Sequence, residues 1–476
     1  MGKKKQSNLD KSVLDIRAEQ MCKSLGDMVG YEIKDYTNSE YYKQILEARN
    51  YTLNRSDVQK KKNTVAARSN TKIEHPLLYK LIKQKADFLL SKEFTIKTKS
   101  PDYEKKLSLL LNKRFRKKLK NFGFGIAEYG INYWLPYIDK KGKFKLKSLS
   151  PLKVKVYWAD DEHEEIEAFL YFYDEIRYNN SGKYTVKCAE YWDSNGVRYF
   201  ECPDNVGSSY VVNKEHGTKQ NEFCETHLLV NGKGYNWETV PLVWAKYNED
   251  ELPLQYFLKE LLDDINWQTS ITSDVIRDIA KFIYILKNYG GQDLAEFIKD
   301  LRENLAIKVD ADGGVDKLQA DLNVESVLKF IEKQRKDCYD YGYCVDTKDE
   351  NLGNASGVAL EFRYMDLRSD CESIASELNC MFEELKIFID AYLKLFGKGN
   401  FGATEFSIEF NMDMPVNESG IISDIKNSVG IISNKTLIAN HPYVESVEDE
   451  LQQMEDEEKE SIDNPDYNMG DAEDEE

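Results

Sequence analysis

Apolar positions recur at helical spacing near the start of the chain, at a period of two over 130–244, and at helical spacing again beyond it. Residues 1–60 form a polar arm in which 8–27 and 39–49 are expected as helices, and 60–75 a polar loop. Pro76 then opens a run with Leu77, Leu78, Leu81, Ile82 and Phe88-Leu89-Leu90, whose spacing predicts a helix. From 130 to 244 the period drops to two. Asn132-Tyr133-Trp134-Leu135-Pro136-Tyr137 and Phe144-Lys145-Leu146-Lys147 flank Asp139-Lys140-Lys141-Gly142, a hairpin signal. Strand-like runs follow at 154–158, 168–173, 184–186, 197–200 and 240–244, so this region reads as an antiparallel β-rich domain.

The period then returns to that of a helix. Leu254, Phe257, Leu258, Leu261, Leu262, Ile265, Ile271, Val275, Ile276 and Ile279 recur mostly every three or four residues, predicting a helix over 254–281 about 42 Å long. Residues 282–322 read as a small αβ insert: strands at 282–286 and 306–309, a helix at 294–301 and a turn at 310–314. Asn323 is a plausible N-cap for a second helix, with Val324, Val327, Leu328 and Ile331 on one face and Gly342 as C-cap. A polar loop over 343–357 leads to a long helix over 358–396, striped by Ile374, Leu378, Met381, Phe382, Leu385, Phe388, Ile389, Tyr392 and Leu393. A strand at 406–410 and short helices capped at Ser419 and Ser433 follow. The class is α+β, and the length suits several domains.

Charge is unevenly placed. The net charge is −19, yet residues 444–476 hold sixteen acids against Lys459, which leaves about −4 for the rest. Beyond about 460 this acidic tail is expected to be disordered. Residues 105–147 run the other way, with 13 Lys and Arg against Glu128 and Asp139, densest over 113–120. That run fits either a solvated helix face or a patch for nucleic acid or a protein partner. No run of about 18 apolar residues occurs, so no membrane span is expected. The start has no apolar core of a secretory signal and does not fit the myristoylation pattern. The 8 cysteines are too scattered for a disulfide framework, which points to synthesis in a reducing cytosol.

Enzymatic motifs are sparse. Each Gly-Lys pair lacks the Ser or Thr of a phosphate-binding loop, and neither His-Glu-x-x-His nor Gly-x-Ser-x-Gly occurs. Asp263-Asp264 and Asp160-Asp161-Glu162 suit either Mg²⁺ or solvent. Cys202, His216, Cys224 and His227, with Cys188 nearby, have some zinc-like content, but without a Cys-x2-Cys knuckle they read as scattered residues of the β domain and not as a zinc site. A metal-dependent nucleic-acid-processing enzyme built on the carboxylate clusters is thus an alternative to a structural role.

The half from about 240 to 450 resembles the portal proteins of tailed bacteriophages, the head-to-tail connectors found in siphophages of Gram-positive hosts. The resemblance rests on an ordered series. Pro241-Leu242-Val243-Trp244 and Asn248-Glu249 lead into the helix bearing Leu261-Leu262-Asp263-Asp264. Tyr289-Gly290-Gly291 and Val309-Asp310-Ala311-Asp312-Gly313-Gly314 follow. Then come Asn354-Ala355-Ser356-Gly357-Val358-Ala359-Leu360-Glu361-Phe362-Arg363-Tyr364 and Ile432-Ser433-Asn434-Lys435-Thr436-Leu437, and finally His441-Pro442-Tyr443-Val444-Glu445 with an acidic helix.

The resemblance implies a multidomain portal fold: a β-rich wing over 1–253, stem helices at 254–281 and 323–342, a small αβ clip at 282–322 and a tunnel loop at 343–357. A long wing helix and strand over 358–414, a helical crown over 415–460 and the acidic tail 461–476 complete it. It implies a homo-oligomeric ring, expected as a dodecamer, at one capsid vertex of the virion, assembled in the host cytoplasm, with double-stranded DNA in its channel. The implied partners are the large terminase subunit, major capsid and scaffolding proteins, and a head-completion or neck adaptor protein, with no cofactor and no catalysis. Asp346, Lys348, Asp349, Glu350, Asn351 and Asn354 would then line the tunnel loop. Lys329, Lys333, Arg335 and Lys336 are channel candidates on the stem, and Gln292, Asp293, Glu296, Asp310 and Asp312 are clip contacts for a partner. The excess of acid over Lys348 in the loop suits a channel that must let DNA slide, since a strongly basic wall would hold it.

Overall fold

The structure is a computed structural model describing residues 11–62, 69–180, 182–202, 209–213, 224–230, 232–278, 283–287, 293, 314–318, 324–348, 357–412, 418–444 and 446–463. It divides into two units, Met1–Cys344 with Ser369–Asn411, and Val345–Arg368 with Met412–Glu476.

In the larger unit, serines punctuate the N-terminal arm. Ser12, Ser24 and Ser39 each accept the N–H three residues on, starting α1 (Val13–Gln20), α2 (Leu25–Asn38) and α3 (Glu40–Thr52). The single helix expected over 8–27 is therefore two, broken where Cys22 takes a positive φ of 51°. A run of α-compatible residues hid a cap signal at Ser24. Helix α4 (Leu77–Leu90) follows Pro76 as expected, and α5 spans Pro101–Leu110.

The period-two region forms two antiparallel sheets. One has the order β11-β2-β3, from β2 (Ile131–Ile138), β3 (Phe144–Leu149) and β11 (Val243–Lys246). The other has the order β4-β5-β6-β7-β8, from β4 (Val154–Trp158), β5 (Ile166–Asn179), β6 (Gly182–Asp193), β7 (Gly196–Cys202) and β8 (Val211–Val212). A short antiparallel hairpin of β9 (Leu228–Val230) and β10 (Lys233–Tyr235) falls between β8 and β11 in the chain. Alternation along β5 and β6 sends residues to both faces. Ala168, Leu170, Ala189 and Tyr191 pack beneath Leu14, Ala18, Met28 and Val29 of α1 and α2. Phe169 and Trp192 turn the other way, onto Ile131, Tyr133, Leu135 and Leu149 of the three-stranded sheet. Both faces are buried, so 168–170 reads as an unbroken apolar run.

The basic run 113–120 opens α6 (Lys113–Tyr129), capped by Asn112. Its apolar side carries Phe115 and Phe122 against the Trp134 ring, at 5.6 Å and 4.3 Å between centroids. The long helix α9 (Gly357–Leu395) buries Cys371, Ile374, Leu378, Met381, Phe382, Leu385, Phe388, Ile389, Tyr392 and Leu393. Beyond it, β14 (Phe406–Glu409) pairs antiparallel with β1 (Thr95–Thr98). The expected strand at 406–410 is thus half of a pair whose partner the period did not reveal, because four residues show too little alternation.

The remaining helices are α7 (Leu254–Asp278) and α8 (Val324–Tyr341). Strand β12 (Ile283–Lys287) pairs with β13 (Gly314–Leu318), whereas the strand expected at 306–309 and the helix at 294–301 lie outside the described residues. In the smaller unit, α10 spans Glu418–Asn427 and so begins before Ser419. Ser433 caps α11 (Asn434–Ala439) as expected, and acidic α12 covers Val447–Asp463.

Gly130 ends α6 with φ +86°, and a Cβ there would meet the Glu251 carbonyl oxygen at 1.8 Å. Gly182 also has a positive φ, +118°, but open space around it. Gly130→Ala should therefore cost roughly 2 kcal/mol or more, from strain plus clash, and Gly182→Ala clearly less. Urea unfolding of the two variants checks this; equal losses would mean that the close approach at Gly130 contributes nothing.

Candidate functional site

Helices α7 and α8 pack together and are rooted in one core. Leu254, Leu258, Leu262 and Ile265 of α7, with Cys338 and Tyr339 of α8, join Leu77, Leu78, Leu81 and Ile82 of α4 and Tyr51 of α3. The stripe read along 254–281 thus splits. Leu254, Leu258, Leu262 and Ile265 face this core, while Phe257 is 54% exposed and Ile271 and Ile276 are also exposed. On α8, Leu328 likewise points to solvent, although Ile331 packs on the core. Period alone gives the width of a stripe and not which neighbour covers each part.

The polar flank of α7 is clasped by the segment following α3. Asn266 Oδ1 accepts the His75 N–H at 2.9 Å, and Ser270 Oγ accepts that of Ile73 at 2.9 Å. Asp274 accepts the Thr71 N–H at 2.7 Å and pairs with Lys61 at 2.5 Å. Burial alone would raise the Asp274 carboxyl, but the bonds from Lys61 and Thr71 outweigh it and hold it below the usual range. Asp263 accepts the Tyr51 hydroxyl at 2.6 Å, and Asp264 accepts the Gln334 amide across the α7–α8 seam. Asp263-Asp264 therefore stitches helices together.

The other chemical candidates resolve similarly. Asp160 accepts the Glu164 and Glu165 N–H groups at 3.0 Å and 2.6 Å, closing a turn. Cys202 and Cys224 are buried, and His227 bonds the Asp193 carbonyl at 2.8 Å, its ring driven by burial down to about 4. His216 lies outside the described residues, among which no group of three potential metal ligands is found. Of the carboxylates invoked for a metal-dependent enzyme, Asp160, Asp263 and Asp264 are already committed to structural bonds, whereas Asp161 and Glu162 are exposed.

The four basic candidates on α8 are engaged within their own helix. Lys329 pairs with Glu325 at 2.7 Å, Lys333 with Asp337 at 2.8 Å and Lys336 with Glu332 at 3.8 Å. Arg335 lies 5.7 Å from the Tyr339 ring. The helix surface is self-compensated and presents no basic stripe. At its end Tyr343, not Gly342, takes the left-handed conformation, with φ 51°. The Cys344 N–H reaches the Tyr339 carbonyl at 2.9 Å and the Tyr343 N–H that of Asp340 at 3.2 Å, a Schellman ending with tyrosine in the usual glycine position. A Cβ at Gly342 would meet the Cys338 carbonyl oxygen at 2.6 Å, so this glycine is there for close packing.

In the loop that follows, Asp346 Oδ1 accepts the Lys348 N–H at 3.1 Å and Lys348 is exposed. Asp349, Glu350, Asn351 and Asn354 lie outside the described residues, as do Gln292, Glu296, Asp310 and Asp312 of the insert; Asp293 is exposed. The basic run on α6 is partly consumed. Arg116 pairs with Glu93, Lys120 with Asp87 at 2.6 Å, and Lys118 donates to the Leu146 carbonyl. Lys113, Arg114 and Lys117 remain exposed. Residues missed from sequence meet at the root of the loop: Lys85, 1% exposed, pairs with Asp370 at 2.8 Å. Lys85 shares the buried face of α4 with Leu81, Ile82 and Leu89, so a lysine inside an apolar stripe was the signal.

With this geometry in view, the chain's relations are specific. Residues 31–464 match the family model described as phage portal protein, SPP1 Gp6-like, which is most of the chain; it belongs to that family of bacteriophage portal proteins. It is 28% identical over 432 residues to the portal protein of Bacillus phage SPP1, covering 87% of this chain and 83% of the relative. It is 26% identical over 432 residues to the portal protein of Clostridium phage phiCD119, covering 85% and 90%. The family is a structural rather than an enzymatic one. Among the described residues no helix is long and apolar enough to cross a membrane.

Exposed i,i+4 ion pairs contribute little, whereas the buried Gln334 amide joins two helices. Gln334→Ala should destabilise by about 1–2 kcal/mol. Replacing Lys329, Lys333 and Lys336 together with Gln should leave the melting temperature nearly unchanged. Thermal denaturation of both variants tests this, and a reversed order would refute the assignment of the α7–α8 seam.

Proposed function

We propose that copies of this chain close into a ring, expected to number twelve, at one vertex of a phage capsid. Double-stranded DNA passes along its axis during packaging and ejection. The ring docks the large terminase subunit and later a head-completion or neck adaptor protein, and sits among major capsid and scaffolding proteins in a virion assembled in the host cytoplasm. No catalytic step and no cofactor are assigned to it. Residues 254–281 and 323–342 act as the stem, 282–322 as the clip with Asp293 among its partner contacts, and 343–357 as the tunnel loop. Residues 1–253 and 358–414 form the wing and 415–460 the crown.

The observation that carries this reading is the uncovered apolar face of the helix pair. Tyr256, Phe257, Trp267 and Ile271 share one side of α7, and Phe330 and Tyr341 one side of α8, all exposed in a single chain. Burying one such side chain contributes about 1.5–3 kcal/mol, so a face of this kind favours a protein neighbour over water. A head-to-tail contact that repeats by rotation closes into a ring. The self-compensated charges of α8 suit a wall along which DNA slides, because each uncompensated cation would add a phosphate contact to be broken.

Electron microscopy of the purified protein tests the assembly: rings with an axial hole are expected, and monomers would contradict it. Ile271→Asp with Phe330→Asp should abolish rings while leaving the circular dichroism spectrum unchanged; intact rings would refute the assigned interface. Neutralising Asp346, Asp349 and Glu350 to the corresponding amides should slow packaging by raising drag on DNA. Unchanged packaging velocity and final DNA load would sink that role for the loop.

A further inference from the structure

Lysine is almost never fully buried without a partner, because its charge loses hydration that only close acceptors can replace. Lys85, 1% exposed on α4, has two acceptors from distant parts of the chain. Its ammonium donates to Asp370 Oδ2 at 2.8 Å and to the Tyr343 carbonyl oxygen at 3.3 Å. The other Asp370 oxygen accepts the Tyr247 hydroxyl at 3.1 Å, and Cys371 Sγ lies 3.7 Å from the Lys85 carbonyl oxygen. Tyr343 holds its positive φ of 51° at this point, a conformation that a bulky residue keeps only when its surroundings impose it.

The two acceptors mark a place of consequence. The chain leaves the larger unit after Cys344 and re-enters it at Ser369, within the continuous helix α9. Tyr343 and Asp370 are therefore the two roots of the segment 345–368, which contains Asp346, Lys348 and the first three turns or so of α9. We propose that Lys85 is a positioning residue that ties these roots to each other, so that the loop before α9 and the shaft of α9 shift together and not independently. Under the channel reading, on which this significance rests, a push on the loop by axial cargo is thereby delivered to α9 at Asp370. The tie itself is a property of one subunit and holds whether or not rings form.

Hydrogen exchange on the full chain tests it. Lys85→Met removes the tie but leaves the half-buried Asp370 carboxylate without its cation. Lys85→Met with Asp370→Asn also removes the tie, keeps an acceptor for Tyr247 and discharges the carboxylate. With the tie absent, exchange should rise on the order of tenfold at both 343–348 and 369–373, with β2 unaffected. The double variant should regain thermal stability yet keep both roots fast. Recovery of protection together with stability, or loosening of one root alone, would overturn the proposal. Should Lys85→Met fail to fold, the double variant carries both readouts. Ring formation by the same variants, scored by microscopy, judges the assembly and leaves the tie to be judged by exchange.

Discussion

The core shared by α4, α7 and the C-terminal end of α8 determines what is left for a neighbour. A helix with apolar residues around more than half its circumference can bury one face within its own chain. Here that face is chosen by Leu258, Leu262, Cys338 and Tyr339, and the choice turns Phe257, Trp267 and Phe330 to water. Anything that rotated α7 by about half a turn would exchange the two faces. The bonds from Thr71, Ile73 and His75 to the polar flank of α7, together with Tyr51 on Asp263, resist that rotation. The polar seam thus sets orientation, while apolar burial supplies most of the stabilisation.

Electrostatics follows the same division of labour. Cations that composition suggests are available for nucleic acid are largely spent locally: those of α8 on acids one turn away, and Arg116, Lys118 and Lys120 of α6 on neighbouring elements. The chain's marked acidity sits mainly in residues 444–476, away from these helices in sequence. A surface whose charges are paired within one element interacts weakly and without sequence preference with a passing polyanion. That is a physical requirement for translocation and a poor design for capture.

Much of the architecture was legible where a local signal was strong. The hairpin β2–β3 carries alternation on both sides of Asp139-Lys140-Lys141-Gly142, and α7, α8 and α9 carry long helical stripes. Less could be read where the decision is tertiary. The pairing of β1 with β14 joins four-residue strands more than 300 positions apart in the chain, for example Thr98 with Phe406. Ser24 splits one expected helix into two by a cap that looks like any polar position. Gly342 sits at the expected C-cap of α8, but the left-handed turn that follows falls on Tyr343, and close packing leaves no room for a Cβ at Gly342. At the candidate site the basic residues of α8 were found by type, yet their pairing is a matter of rotamers. Lys85 went unread because its meaning depends on Asp370 and Tyr343, which no local pattern connects to it.

The claim on which the account turns is that the outward face of α7 and α8 is covered by the next copy of the chain. Covalent footprinting by hydroxyl radicals, compared between assembled and dissociated protein, measures that directly. The account predicts strong protection on assembly at Tyr256, Trp267 and Phe330, with Tyr178 of the β5 hairpin unchanged as an internal reference. Equal labelling of those three side chains in both states would contradict it.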